Sequence, residues 1–204
     1  AETRDFRSWP VPQPIVEPDA ADSPSADIYT NSYTPWPGAA DAHLMFPAFY
    51  QRASDTLEVH MLTSRDGLRW QRPVRTPIIA FGEPHTNREG GVYAGCGLAE
   101  LTPGEWSLPI APKWHTHNQA HHLQGRPAHP PDNGYICRAC WRQDGLMSLE
   151  AETEGGCTTA PITFSGSKLV LNAWTRFAGE IRVELADATG RVVAGRSFAD
   201  RSEE

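Results

Sequence analysis

One tight-turn signature occurs twice in this chain, at Arg65-Asp66-Gly67-Leu68 and at Arg142-Gln143-Asp144-Gly145-Leu146, and it constrains the fold more than any other feature. An Asp side chain accepts backbone N–H groups just ahead of it and Gly adopts positive φ freely, so Asp-Gly reverses the chain between two strands. The segments around the first copy read as a four-strand meander: Ile28–Tyr33, His43–Tyr50, Leu57–Leu62 and, past the turn, Leu68–Arg72. They are short, β-rich and separated by Pro, Gly and Asp. The cycle recurs around the second copy, with strands expected at Gly91–Leu98, Trp106–Ala111, Tyr135–Trp141 and Leu146–Glu150. Asp66 and Asp144 lie 78 positions apart (144 − 66). That exceeds the roughly 40–50 residues of a propeller blade, and an insertion over 112–133 accounts for the excess.

Almost no segment carries helical periodicity. The expected fold is therefore all-β: a partial β-propeller of about two four-stranded blades, then a β-sandwich-like unit. A closed propeller needs at least four blades, more than 204 residues organised this way can supply. Residues 1–26, rich in Pro, Asp, Ser and Ala, read as an extended arm, 27–151 as the blades and 152–204 as the sandwich-like unit. In the last, strands are expected at Ile162–Phe164, Lys168–Trp174, Gly179–Leu185 and Arg191–Phe198, with a hairpin turn at Asp187-Ala188-Thr189-Gly190. Four strands make a thin sandwich, so this unit is expected to be cut short.

Charge narrows the partners. A net charge of −7 argues against a nucleic-acid backbone as the main ligand, and no apolar run approaches membrane-spanning length. A neutral ligand such as a glycan fits. Cys137-x-x-Cys140 falls in the expected strand Tyr135–Trp141, where positions i and i+3 point to opposite faces. That geometry favours small buried apolar residues over a shared metal or a redox dithiol.

Ser64-Arg65-Asp66-Gly67-Leu68-Arg69-Trp70 resembles the Ser-x-Asp-Gly-x-x-Trp blade turn of five-bladed propeller glycosidases, the families related to invertases, levanases and arabinanases. Trp141 to Leu149 resembles the Arg-x-Asp-Gly-Phe-x-Ser-Leu segment of bacterial glycosyl hydrolase family 32/43-like proteins. Gly156 to Gly166, Leu169 to Asn172 and Gly179 to Leu185 are similar to the sandwich that follows the propeller there. The resemblance spans roughly residues 27–200 and implies the C-terminal portion of a secreted or periplasmic protein. It implies a hydrolase of O-glycosyl bonds acting on an oligo- or polysaccharide without a cofactor. A non-catalytic carbohydrate-binding module or an inactive fragment is the competing reading, because a fold does not dictate chemistry.

Propeller glycosidases place carboxylates at or before the innermost strand of a blade, one to protonate the leaving oxygen and another to activate water or attack the sugar. The innermost strands here are the first of each meander, which makes Glu89, Asp27 and Glu83 the catalytic candidates. Tyr29, Asn31 and Tyr93 are expected to face the channel, where a phenol can stack on a sugar or bond its hydroxyls. Arg88 and His43 complete the expected substrate contacts. The insertion holds His115, His117 and His121, whose spacing would let imidazoles share a metal, although no Cys or carboxylate lies nearby in sequence; a rim loop that contacts substrate is an equal use, and a plain solvated loop is the favoured reading. Asp66 and Asp144 are assigned to the turns, and Trp70 and Trp141 to the core.

Overall fold

A computed structural model of the chain describes residues 3–83, 86–118 and 135–200. These residues form strands and no helix, and no helix among them is long and apolar enough to cross a membrane. The chain divides into two compact units, Ala1–Gln143 and Asp144–Glu204.

The described residues of the first unit form ten strands: β1 (Ala26–Ile28), β2 (Tyr33–Pro35), β3 (His43–Met45), β4 (Ala48–Gln51), β5 (Thr56–Val59), β6 (Leu62–Ser64), β7 (Gly91–Ala94), β8 (Ala99–Thr102), β9 (Glu105–Lys113) and β10 (Cys137–Arg142). One sheet runs β1-β4-β5-β7-β9-β10, with β8 also paired to β9; the other runs β2-β3-β6. Pairing is antiparallel except between β5 and β7, which meet in parallel at Leu57 and Gly91.

The two sheets share one strand order because three extended segments each cross from one sheet to the other. Residues 26–35, 43–51 and 56–64 are long strands bent at their middles, where continuous strands were expected. Ser32 makes the first bend with φ of 44°; Phe46 and Pro47 make the second, and His60 and Met61 the third. The bends are bonded to one another: the Phe46 N–H donates to Asn31 O (3.1 Å) and the His60 N–H to Pro47 O (3.0 Å). They are also buried, with Phe46, Pro47, His60 and Met61 withdrawn from water. Fully burying a side chain the size of Phe or Met stabilises by about 1.5–3 kcal/mol, which offsets the ladder bonds lost at each corner. The segment after the first Asp-Gly turn pairs with the meander through isolated bridges, Thr63 with Gln71 and Val59 with Ile79, instead of forming a full fourth strand.

The two Asp-Gly turns are not equivalent. In the first, Asp66 Oδ1 accepts the N–H groups of Leu68 (2.9 Å) and Arg69 (2.7 Å), Ser64 Oγ accepts Gly67 N–H (2.9 Å), and Gly67 takes φ of 70°. Those N–H donors hold the Asp66 carboxyl below its ordinary pKa. Trp70 then packs on the buried cluster of Met45, Phe49 and Leu62. In the second, Asp144 itself takes the left-handed φ of 57°, and no strand follows at 146–150. The boundary between the two units runs through this second motif.

Three further expectations need correction. The insertion does not begin at Pro112, because β9 continues through Lys113; residues 119–134 lie outside the described ones. A strand that the sequence reading missed, β8, forms a hairpin with β9 across Pro103 and Gly104. Cys137 and Cys140 are exposed, not buried: among the described residues β10 stands at the end of the sheet order, with no strand paired to its outer side.

The N-terminal arm is held down by charge. Arg72 pairs with Asp22, both nearly buried, and its guanidinium lies 4.5 Å from the centre of the Phe49 ring. Arg75 pairs with Asp19, and Arg52 Nη2 donates to Pro24 O (3.1 Å). Val16 of the arm packs on the Met45–Phe49–Leu62 cluster.

In the second unit the described residues form no strand. Its expected apolar strand positions, among them Phe164, Leu169, Val170, Trp174 and Ile181, are exposed. The expected turn is present: Gly190 N–H donates to Asp187 O (2.9 Å), and Ala186 bridges Val192. Asp187 Oδ1 accepts the N–H groups of Thr189 (2.8 Å) and Arg191 (3.1 Å).

Candidate functional site

The most concentrated chemistry in the first unit is a cluster of aromatic rings around one histidine. Asp27 of β1 is the register partner of Tyr50 of β4, so the two side chains share a sheet face. Tyr29, two residues on, falls on that face as well. Its ring centre lies 6.0 Å from that of Tyr50 and 6.4 Å from that of Tyr93 on β7. His117, from the loop after β9, sits between them, 4.7 Å from Tyr29 and 4.9 Å from Tyr50. Its Nδ1 is 2.7 Å from the Tyr93 hydroxyl.

Gly90 and Gly91 allow this assembly. A Cβ on Gly90 would overlap the His115 carbonyl, so a side chain there would push the His115–Asn118 loop away. Gly91 has φ of 143°, and a Cβ would lie 2.9 Å from three Leu57 atoms. The glycines thus serve close packing of β7 against β5 and the loop.

Asp55 anchors the loop. It closes the β4–β5 turn with φ of 59°, and only 3% of its surface is exposed. Its carboxylate accepts the Tyr50 hydroxyl (2.8 Å), the Asn118 N–H (2.9 Å to Oδ2) and Asn118 Nδ2 (2.8 Å to Oδ1). The His117 N–H donates to its backbone oxygen (2.8 Å). Burial alone would raise the Asp55 pKa, but the donors Thr116, Tyr50 and Asn118 outweigh it and hold the carboxyl well below the usual range. Asp55 is therefore a fixed anion that organises the site rather than a proton donor. Tyr50 is pushed up by its bond to Asp55. Tyr93 is pushed up to about 12 by burial, reinforced by Tyr29, Asp55 and Tyr50. Its phenol stays protonated at neutral pH, so it can donate to a bare His117 Nδ1 or accept from Nδ1–H.

Of the residues singled out in the sequence, Asp27, Tyr29, Tyr93 and His117 come together here. Asp27 also pairs with Arg52 (3.5 Å). Asn31 lies just beyond, beside Tyr29, in an open depression of about 410 Å3. His43 is elsewhere, in the β2-β3-β6 sheet, with its Nδ1 2.8 Å from the Tyr33 hydroxyl. Glu89 occupies the 86–90 turn before β7, where its N–H donates to Thr86 O (3.2 Å). Glu83 is exposed, and Arg88 Nη1 bonds Ala80 O (3.3 Å). His115 lies in the same loop as His117, whereas His121 is outside the described residues; among those described, no three His, Cys, Asp or Glu residues gather as metal ligands. The sequence reading missed Tyr50, Asp55 and Asn118. The signal for Asp55 was faint: an acid in a polar turn between two strands reads as an ordinary surface residue.

No protein-family description, curated protein or solved structure matches this chain.

Proposed function

We propose that this protein engages a carbohydrate through the face formed by Tyr29, Tyr50, Tyr93 and Asp27. The observation that carries the reading is the grouping of three tyrosines around His117, with Asp27 on the same sheet face. Sugars offer an apolar C–H face and a rim of hydroxyls, and aromatic rings beside carboxylate and phenol groups complement both. Tyr29 suits the role because it is 51% exposed, and its hydroxyl has no partner among the described residues.

The architectural side of this reading is that the bent meander from residue 26 to the Gln71 bridge is one propeller blade, related to those of glycosidases. Residues 152–204 would be the sandwich that accompanies it. Hydrolysis of an O-glycosyl bond is the second reading, favoured by the carboxylate of Asp27 beside the tyrosines. It needs a second carboxylate, and Glu89, in the turn entering β7, is the candidate.

Glycan-array screening and calorimetry on the whole chain test the first reading. Saccharide binding that falls at least tenfold in Tyr29→Ala is the expected result; no binding across the array refutes it. Reducing-sugar release abolished by both Asp27→Asn and Glu89→Gln would add catalysis, while binding without release would leave a binding module.

A further inference from the structure

The two Asp-Gly pairs are the same reactive dipeptide held in two different ways. Glycine has no Cβ to keep its nitrogen away from the preceding aspartyl carboxyl, so an internal reaction is open to the pair. The Gly nitrogen attacks Asp Cγ, its proton and a carboxyl oxygen leave as water, and a cyclic succinimide closes. Water then opens the ring at either carbonyl. Opening at Cγ restores Asp; opening at the backbone carbonyl gives isoaspartate, whose main chain runs through Cβ and Cγ. The reaction requires that the carboxyl and the next N–H both be free to meet.

At Asp66-Gly67 both groups are engaged. Asp66 Oδ1 accepts the N–H groups of Leu68 (2.9 Å) and Arg69 (2.7 Å) and the Ser64 hydroxyl (3.1 Å). The Gly67 N–H donates to Ser64 Oγ (2.9 Å), and the Arg69 guanidinium lies 3.8 Å from Asp66 Oδ2. These donors favour the carboxylate, whereas water is expelled most readily from the neutral acid. Ring closure at Asp66 must therefore dismantle the turn.

At Asp144-Gly145 neither the Asp144 carboxyl nor the Gly145 N–H has a partner among the described residues. The bond from Asn172 Nδ2 goes to Asp144 O (3.2 Å), which leaves both reacting groups open. Asp144 and Gly145 are exposed, but so is Asp66. Hydrogen bonding, not access to water, separates the two pairs.

We propose that Asp144-Gly145 is a self-modification site that converts through a succinimide to isoaspartate, and that Asp66-Gly67 is protected by its turn. The product adds a methylene to the backbone just after β10, at the boundary between the two compact units. The reaction needs water and no ligand, so it is independent of the saccharide reading.

Incubation of the whole folded chain in heavy-oxygen water, followed by peptide mapping with electron-transfer fragmentation, measures isoaspartate and label at both positions. Isoaspartate at position 144 is expected to exceed that at position 66 at least tenfold and to carry heavy oxygen from the water. In denaturant both turns are lost and Leu follows each pair, so the ratio should fall toward one. Ser64→Ala, with folding verified by circular dichroism, should raise conversion at Asp66 severalfold in the native chain. Equal conversion of the two pairs in the folded protein, no isoaspartate at position 144, or a ratio that persists in denaturant overturns the proposal, as does a folded Ser64→Ala variant in which Asp66 reacts no faster.

Discussion

Replacing Asp55 should release the His115–Asn118 loop, and the structure gives both the size of the effect and a way to divide it. The carboxylate accepts hydrogen bonds from the Tyr50 hydroxyl and from two nitrogens of Asn118, and Thr116 acts on it as well. A hydrogen bond to a charged group contributes about 1.5–3 kcal/mol. Asn118 is exposed and Tyr50 half-buried, so water can recover part of this once the carboxylate is gone. The net cost of Asp55→Gly is then about 2–4 kcal/mol. Asp55→Ala should cost roughly 1 kcal/mol more, because φ of 59° penalises a Cβ that has no polar compensation. Asp55→Asn keeps the backbone preference and one acceptor, but turns an amide NH2 toward the donor that Oδ2 now accepts, at a cost of about 1–3 kcal/mol. Urea unfolding followed by tryptophan fluorescence measures all three. With a slope of about 2 kcal/mol per molar, the Gly variant should shift the midpoint down by roughly 1–2 M. The pH dependence follows in sign. The folded carboxyl has a depressed pKa, so its stabilisation is complete above the unfolded value of about 3.9 and fades as pH falls toward the folded one; Asp55→Asn should flatten that acid limb. An Asn variant within about 0.5 kcal/mol of the parent, or an Ala variant more stable than the Gly variant, would refute the reasoning.

Other substitutions probe the frame of the site. Gly91→Ala places a methyl 2.9 Å from Leu57 atoms at a φ of 143° and should lose about 2–4 kcal/mol by the same unfolding assay. Phe46→Ala empties the second bend, where Phe46 is fully buried, at about 3–5 kcal/mol. Asp22→Ala leaves the nearly buried Arg72 without its partner; a loss of about 3–5 kcal/mol is expected, together with faster proteolytic cleavage within residues 10–24.

Where a feature depends on neighbours in sequence, it was legible. The turn at Ser64–Arg69 is made by a hydroxyl, a carboxylate and a glycine acting within five residues, and the turn at Asp187–Gly190 is equally local. Tyr29 and Tyr93 each sit near the start of a segment that opens a meander, but their approach to 6.4 Å is made by contacts across the sheet that the sequence does not show. The bends were not legible, since Phe46-Pro47 and His60-Met61 continue the apolar runs of their strands and turn only because three bends bond and pack together. Repeating Asp-Gly likewise did not guarantee a repeated structure: the left-handed residue is Gly67 in one copy and Asp144 in the other.

By itself, the sequence determined that the described residues of the first unit build strands and not helices, where two of the tight turns fall, and which strand starts carry tyrosine. Only the tertiary structure decided which strands bend between sheets, that the arm is held to the core through Val16 and Asp22, and that Asp55 meets Asn118 across 63 positions. The physical reason is range. Turn chemistry is complete within a few residues, whereas a buried carboxylate becomes an organising anion only when donors distant in sequence arrive to satisfy it.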